Sequence, residues 1–537
     1  MGDTHGRMRF FNTSGPVVAA DHYCVPPLER IDLSEILSLI GDKRYFVLHA
    51  PRQTGKTSAL LALRDLLNGG AHGRYRCVYV NVEAGQAARE NQTEAMRAIL
   101  SELEIESEAT LKDPLPADLW PGLLDRVGPT GVLRQVLTRW SQADPVPLVL
   151  LIDEIDTLIG DTLIAVLRQL RAGYPHRPLR FPQSVILCGV RDVRDYRIHS
   201  STENAIVTGG SAFNIKAESL RIGDFSEAEV RALLGQHSAD TGQPFSEDAL
   251  QAVWELTAGQ PWLANALAQQ ACFRDEAGRD RLQEITRGAI HAAREKLILR
   301  RETHLEQLTD KLSEERVRRV MGPVLSGGQA NPEMRPDDLQ YVRDLGLVAP
   351  DDPIRIANPI YREVIPRDLT WTTQAGFTHD PAWYVDADGT LKLAELLAEF
   401  QRFFREHSEH WIQRFQYREA GPQLLLQAFL QRVVNSGGRV EREYGLGRMR
   451  TDLLILWPAS APPDRARRMV IECKLLRRSL EETIRTGLEQ TRSYVDRCAA
   501  GEGHLVIFDR TADRPWSEKL FRGTERAGGI PITVWGM

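Results

Sequence analysis

The stretch YFVLHAPRQTGKTSALLALRDLL, residues 45–67, decides the fold. Its first six residues are an apolar run that reads as a buried strand, and its last nine repeat apolar side chains at helical spacing. Between them lie Pro51, Arg52, Gln53, Thr54, Gly55, Lys56, Thr57 and Ser58. The glycine-lysine-threonine core matches a phosphate-binding loop, in which backbone N–H groups wrap the phosphates. Lys56 would contact the β- and γ-phosphates and Thr57 would ligate Mg²⁺, while the helix N-terminus adds its dipole. Ala50 stands where such loops usually begin with glycine, which is tolerable only if that position needs no positive φ.

Working outward, LVLLIDEIDTL (148–158) is a second apolar strand, ending in Asp153-Glu154. Asp153 at the end of a buried strand suits a Mg²⁺ contact, direct or through another ligand, and Glu154 is placed to polarise the water that attacks a γ-phosphate. ATP is the expected ligand. The runs CVYVNV (77–82) and SVILCG (184–189) complete a series of strands separated by helical segments. Such alternation over 45–215 predicts a parallel α/β sheet built of βαβ units. Residues 226–370 read mostly helical, 371–390 lack periodicity, and from 391 the pattern becomes helix, strands, helix, strands.

With 537 residues the chain has room for two to four domains, and 42% hydrophobic with 26% charged residues is ordinary for a globular protein. No apolar run is long enough to span a bilayer, and MGDTHGRMRF has no apolar core of a signal peptide. Six scattered cysteines without a CxxC pair point to reduced thiols, hence a cytoplasmic setting. The formal charge of −6 hides an asymmetry: residues 401–537 carry 23 Lys+Arg against 17 Asp+Glu, or +6, so the first 400 carry −12. A basic C-terminal portion suits a polyanionic partner, or merely a solvated surface.

DHYCVPPLER, APRQTGKTS, LLIDEIDTL, GVRDVRDYR, FNIKAESLRIGDFS and LTAGQPWLANALA together resemble the STAND-type, AAA-like P-loop ATPases, over about residues 20–370. The resemblance implies a P-loop NTPase core with its N-terminal segment (1–215), a helical lid (216–300) and a winged-helix-like module (301–370), followed by a linker (371–398). It also implies that Arg191, in the Arg191-Asp192 pair, senses the nucleotide. Pro261, in the Gly259-Gln260-Pro261 element, would report nucleotide state. The plainer readings are a surface ion pair and a helix-starting proline.

In the remaining part, 399–537, GPQLLLQAFLQRVVNSGG reads as a helix; RVEREY, MRTDLLILWP and RMVIECKLL as three strands; SLEETIRTGLEQTRSYVDRCA as a helix; and HLVIFDR and PITVWGM as further strands. This order resembles the PD-(D/E)xK nucleases, nearest the RecB-like group, because Gln490 and Tyr494 match that group's helical motif. On the third strand Glu472 and Lys474 share a face, with Ile471, Cys473 and Leu475 on the other. Phosphodiester cleavage needs oxygen ligands for Mg²⁺ (Mn²⁺ also suits such a site). Asp452 and Glu472 on adjacent strands would share one ion, and Lys474 would orient or deprotonate the attacking water. Gln490 and Tyr494, one helical turn apart, would hold the substrate backbone. Glu419 is the candidate for a further metal-binding glutamate. The alternative is an edge-strand salt bridge between Glu472 and Lys474, with Arg467, Arg468, Arg477 and Arg478 either contacting phosphates or solvated.

The combined expectation is a cytoplasmic ATPase that controls a Mg²⁺-dependent DNA endonuclease-like domain, in defence or mobile-element biology, with copies of the chain assembling on ATP. Its alternative is a signalling or scaffold ATPase with a degenerate nuclease-like binding module.

Overall fold

The computed structural model describes residues 8–537 except 70–73, 193–196, 201–204, 209–212, 301–310, 313, 326–333, 370–383, 387–388, 415–420, 435–438, 447–448, 458–466, 477–478 and 512–513. The chain divides into two compact units, residues 1–301 with 340–350, and 302–339 with 351–537.

The first unit is built on five parallel strands: β1 (Tyr45–His49), β2 (Arg76–Asn81), β3 (Leu148–Asp153), β4 (Ser184–Gly189) and β5 (Lys216–Arg221), in the order β2-β3-β4-β1-β5. The four apolar runs become strands because both faces of the sheet are covered, so apolar side chains point to both sides. Val47, Val78, Val80, Leu150 and Ile152 pack into one layer with Met96, Trp140 and Leu167. Phe46, Leu48, Tyr79, Leu151 and Cys188 pack into the other with Leu60, Leu63 and Leu67 of helix α1 (Lys56–Asn68). β5 is an edge strand paired only with β1, and KAESLR has no apolar run because it is half solvated.

Three helices follow: α2 (Glu227–Thr241), α3 (Glu247–Thr257) and α4 (Pro261–Gln269). Each starts on a side-chain cap, Ser226 with a reciprocal Glu229 capping box, then Ser246, then Gln260. Gly259 has φ +78, and a Cβ there would fall 1.9 Å from the carbonyl oxygen of Phe225, so the turn into α4 admits only glycine.

In the second unit, helices Glu315–Leu325 and Pro359–Leu369 precede α5 (Leu393–Arg414) and α6 (Gly421–Val434). Then come β6 (Arg439–Leu446), β7 (Met449–Trp457), β8 (Arg467–Leu475), α7 (Leu480–Arg497), β9 (Glu502–Phe508), β10 (Phe521–Ala527) and β11 (Ile530–Gly536). The sheet order is β6-β7-β8-β9-β11-β10, with β8, β9 and β11 parallel and the other pairs antiparallel. One face packs on Leu396, Phe400, Leu425 and Leu430 of α5 and α6 through Met469, Ile471 and Cys473. Val470 lies on the other face with Tyr494 and Val495 of α7. No helix among the described residues is long and apolar enough to cross a membrane.

Candidate nucleotide site and a second acidic site

The loop after β1 ends in Gly55 with φ 92, in the left-handed region, and α1 begins at Lys56. A side chain at 55 is barred twice over, by φ and by Arg30 Nη1, which would lie 2.7 Å from its Cβ. The other left-handed residue of the loop is Gln53, with φ 57; Ala50 is not among the positive-φ residues. That is why alanine is accepted there. Lys56 is buried and its Nζ donates to the carbonyls of Ala50 (3.1 Å) and Pro51 (3.0 Å), while the Thr54 hydroxyl donates to Pro51 (2.7 Å).

Parallel pairing carries Asp153 to the same end of the sheet as the loop. Its Oδ2 accepts from the Thr57 hydroxyl (2.7 Å) and the Tyr79 hydroxyl (3.0 Å), and its Oδ1 from the Glu154 N–H (2.9 Å). A hydroxyl and a fully buried carboxylate in contact beside a phosphate loop fit the oxygen-ligand preference of Mg²⁺. Glu154 takes φ 56 and ψ 37, a conformation few side-chain-bearing residues adopt, which concentrates at functional sites. Burial pushes its carboxyl above the usual glutamate range, opposed by Lys56 and reinforced by Asp153 and Asp156.

The two resemblance-derived residues have specific neighbours. The Arg191 guanidinium lies 4.7 Å from the centre of the Tyr341 ring, and buried Asp192 accepts from Lys216 Nζ of β5. Pro261 is the first residue of α4 and also lines a cavity beside Gly55 and Ser58. The segment carrying Tyr341 reaches the loop itself: Gly346 has φ +75, and a Cβ on it would lie 2.9 Å from the Pro51 Cβ.

Four residues that motif reading missed complete the site. Arg30 donates to the carbonyls of Thr54 and Gly223 (2.7 Å to the latter) and stacks 4.6 Å from the Phe225 ring, bracing the loop from behind. Tyr79 supports Asp153. Trp262 and Asn265 of α4 line the cavity together with residues 12–15 and 23–25 of the N-terminal segment. Arg30, Trp262 and Asn265 lie in segments that carry the family resemblance and Tyr79 in an apolar strand, but none has a local pattern that gives its role, because each reaches the site through tertiary packing.

In the second unit, β8 is bonded on both sides, so Glu472 and Lys474 lie on a central strand and not on an edge. Lys474 Nζ donates to Glu472 Oε1 at 2.7 Å, with the carboxylate side chain 4% exposed and the ammonium side chain 27%. They alternate with the Ile471 and Cys473 face and share the Val470 face, under α7. On α7, Tyr494 is buried and Gln490 Oε1 has no hydrogen-bond partner. Leu453 pairs with Ile471 and Leu454 with Val470, so continuing this antiparallel register sets Asp452 opposite Glu472. The Asp452 side chain and the whole of Glu419 lie outside what the structure describes. Among the described residues no group of three His, Cys, Asp or Glu side chains is placed to hold a metal ion.

Residues 40–196 match the family model "AAA domain". Among solved structures, the chain is similar to the Walker-type ATPase of Pyrococcus abyssi (15% identity, TM-score 0.44, 66% of this chain and 99% of that one). It is also similar to the ORC2 protein of Aeropyrum pernix (15%, 0.36, 66% and 96%) and Cdc6p of Pyrobaculum aerophilum (17%, 0.36, 65% and 95%). The comparison with curated proteins gave no match. The N-terminal region is an AAA-type P-loop ATPase domain, a family that binds ATP, typically with Mg²⁺, and hydrolyses it.

Proposed function

We propose that this chain is a STAND-type ATPase in which the nucleotide state of the Lys56 site governs Mg²⁺-dependent cleavage of DNA by the C-terminal part. The observation that carries the first half is the contact of Thr57, beside Lys56, with Asp153 of the second motif, 96 residues further along the chain. At this site Lys56 neutralises the β- and γ-phosphates, and Glu154 takes up the proton side of the attacking water. Bound Mg²⁺ would be held by Thr57 and Asp153 and would offset charge on the phosphate oxygens. Arg191 and Pro261 are the residues we assign to sensing the nucleotide. The proposed division is core 1–215, lid 216–300, winged-helix-like module 301–370, linker 371–398 and output domain 399–537. A cytoplasmic location and assembly of copies on ATP belong to the same reading.

The output half is supported by a buried glutamate and a lysine on a central strand, with Asp452 in register opposite and Gln490 and Tyr494 on the covering helix. Asp452 and Glu472, with Glu419, would hold Mg²⁺ or Mn²⁺, and Lys474 would orient the water. A second reading, a degenerate module that binds nucleic acid without cutting it, is favoured by the Glu472–Lys474 ion pair, which leaves the glutamate's charge balanced within the strand.

The test of the ATPase half is steady-state phosphate release by the full chain. Lys56→Ala is expected to abolish both ATP binding and turnover. Glu154→Gln is expected to keep binding and lose turnover by at least about a hundredfold, the usual scale for removing a catalytic base. Undiminished turnover in Lys56→Ala would refute the assignment.

A further inference from the structure

The cavity beside the phosphate loop is walled by three pieces of the first unit: the N-terminal segment, the loop at Gly55, and α4. These walls are tied together. Trp262 Nε1 donates to the Thr13 carbonyl (2.9 Å), and the Val17 N–H donates to the Ser58 hydroxyl (3.0 Å) on α1. Tyr23, Phe225 and Trp262 give the cavity aromatic walls, suited to a flat ring, and the phosphate loop lies at its margin.

Two buried lining side chains carry an unpaired polar atom, the Tyr23 hydroxyl and the Asn265 amide; the hydroxyl can turn to donate or accept and so does not discriminate, whereas the amide does. Asn265 is 9% exposed; its Nδ2 donates to the Pro261 carbonyl at 2.8 Å, and its Oδ1 has no hydrogen-bond partner. The orientation of this amide is fixed by the helix. Turning it over would set Oδ1 against the Pro261 carbonyl, acceptor to acceptor, and lose the bond. The second Nδ2 hydrogen remains, but the amide atom left unpaired in the wall is the acceptor Oδ1. An acceptor left unpaired in a buried position is costly, and a ligand donor recovers that cost on binding.

We propose that Asn265 is the base-selecting residue of the nucleotide site, its Oδ1 accepting the exocyclic 6-amino group of adenine. A 6-oxo purine, guanine or hypoxanthine, presents a second acceptor at that position and is rejected. The proposal rests on the reading of the Lys56 site as an ATP site, and it assigns the choice of base to a lid residue that no phosphate-loop motif contains.

The test is displacement of a fluorescent ATP analogue from the full-length protein with Mg²⁺ by three competitors that differ only at C6: ATP, inosine triphosphate and purine riboside triphosphate. The wild type is expected to bind ATP about tenfold or more tighter than either other nucleotide, the factor that 1.4 kcal/mol supplies. Asn265→Leu is expected to bring ATP to the affinity of the other two while leaving theirs within about twofold. Equal affinities in the wild type would overturn the role of Asn265 and leave the ATP site standing. An ATP preference that survives in Asn265→Leu would do the same. Binding of none of the three would overturn the ATP site and this inference with it. Should the leucine variant not fold, the wild-type series decides alone.

Discussion

His49 closes β1 immediately before the phosphate loop, buried, with no hydrogen-bond partner on Nδ1. Burial depresses its pKa to about 4; Asp192 pulls it upward, and Arg221, Lys216 and Lys56 push it further down. Between its ordinary 6.5 and about 4 only the unfolded chain takes up the proton, so stability is fully present above 6.5 and is lost as pH falls through that window. At about 1.4 kcal/mol per pH unit the loss by pH 4 is on the order of 3 kcal/mol. Urea unfolding of wild type and His49→Leu at pH 7.5 and 5 is expected to show the wild type losing more stability than the variant on acidification; equal losses would refute it. At this scale the sequence was legible where chemistry forces residue order. Lys56, Thr57 and Asp153 were read from motifs and meet in space. Tyr79 was read only as part of an apolar strand, since its hydroxyl reaches Asp153 through the register of β2 on β3. Arg30 and Asn265 lie in segments that carry the family resemblance, but their roles depend on packing between segments far apart in the chain.

Among elements, the parallel strands were legible because burial on both faces removes the polar alternation, leaving runs such as LVLLID. β5 escaped because an edge strand carries no such run. The Glu472–Lys474 pair shows the limit of alternation: it correctly separated the two faces of β8 but left open whether the strand was an edge, which only strand order decides. Helix α7 rides close to this sheet. A Cβ on Gly487 would lie 2.6 Å from Leu505 Cδ1 and 2.7 Å from Cδ2. Replacing a mid-helix glycine ordinarily gains a few tenths of a kcal/mol, up to about 1. Here overpacking against β9, typically about 1–3 kcal/mol, outweighs it. Gly487→Val is therefore expected to destabilise the second unit, read as a lower midpoint of urea unfolding; an unchanged or higher midpoint would show that the helix has room to lift.

For the whole molecule, charge and architecture divide at different places: the second unit begins at residue 302, but the net positive charge lies after residue 400. The acidic first 400 residues include the ATPase unit, and the last 137 carry the net positive charge. Long-range attraction of a polyanion to that basic portion is salt-dependent, so DNA association is expected to weaken as ionic strength rises. The charge also bears on chemistry: of the 23 cations after residue 400 only Lys474 and Lys519 are lysines. Lys519 is buried against the Thr511 carbonyl, which leaves Lys474 as the lysine beside a buried carboxylate on a central strand. Control of cleavage at Lys474 by the nucleotide site at Lys56 is tested most directly by incubating supercoiled plasmid with Mg²⁺ and ATP and the wild-type, Lys56→Ala or Lys474→Ala protein. Nicking or linearisation by the wild type alone is the predicted result; cleavage by Lys474→Ala at the wild-type rate would contradict it.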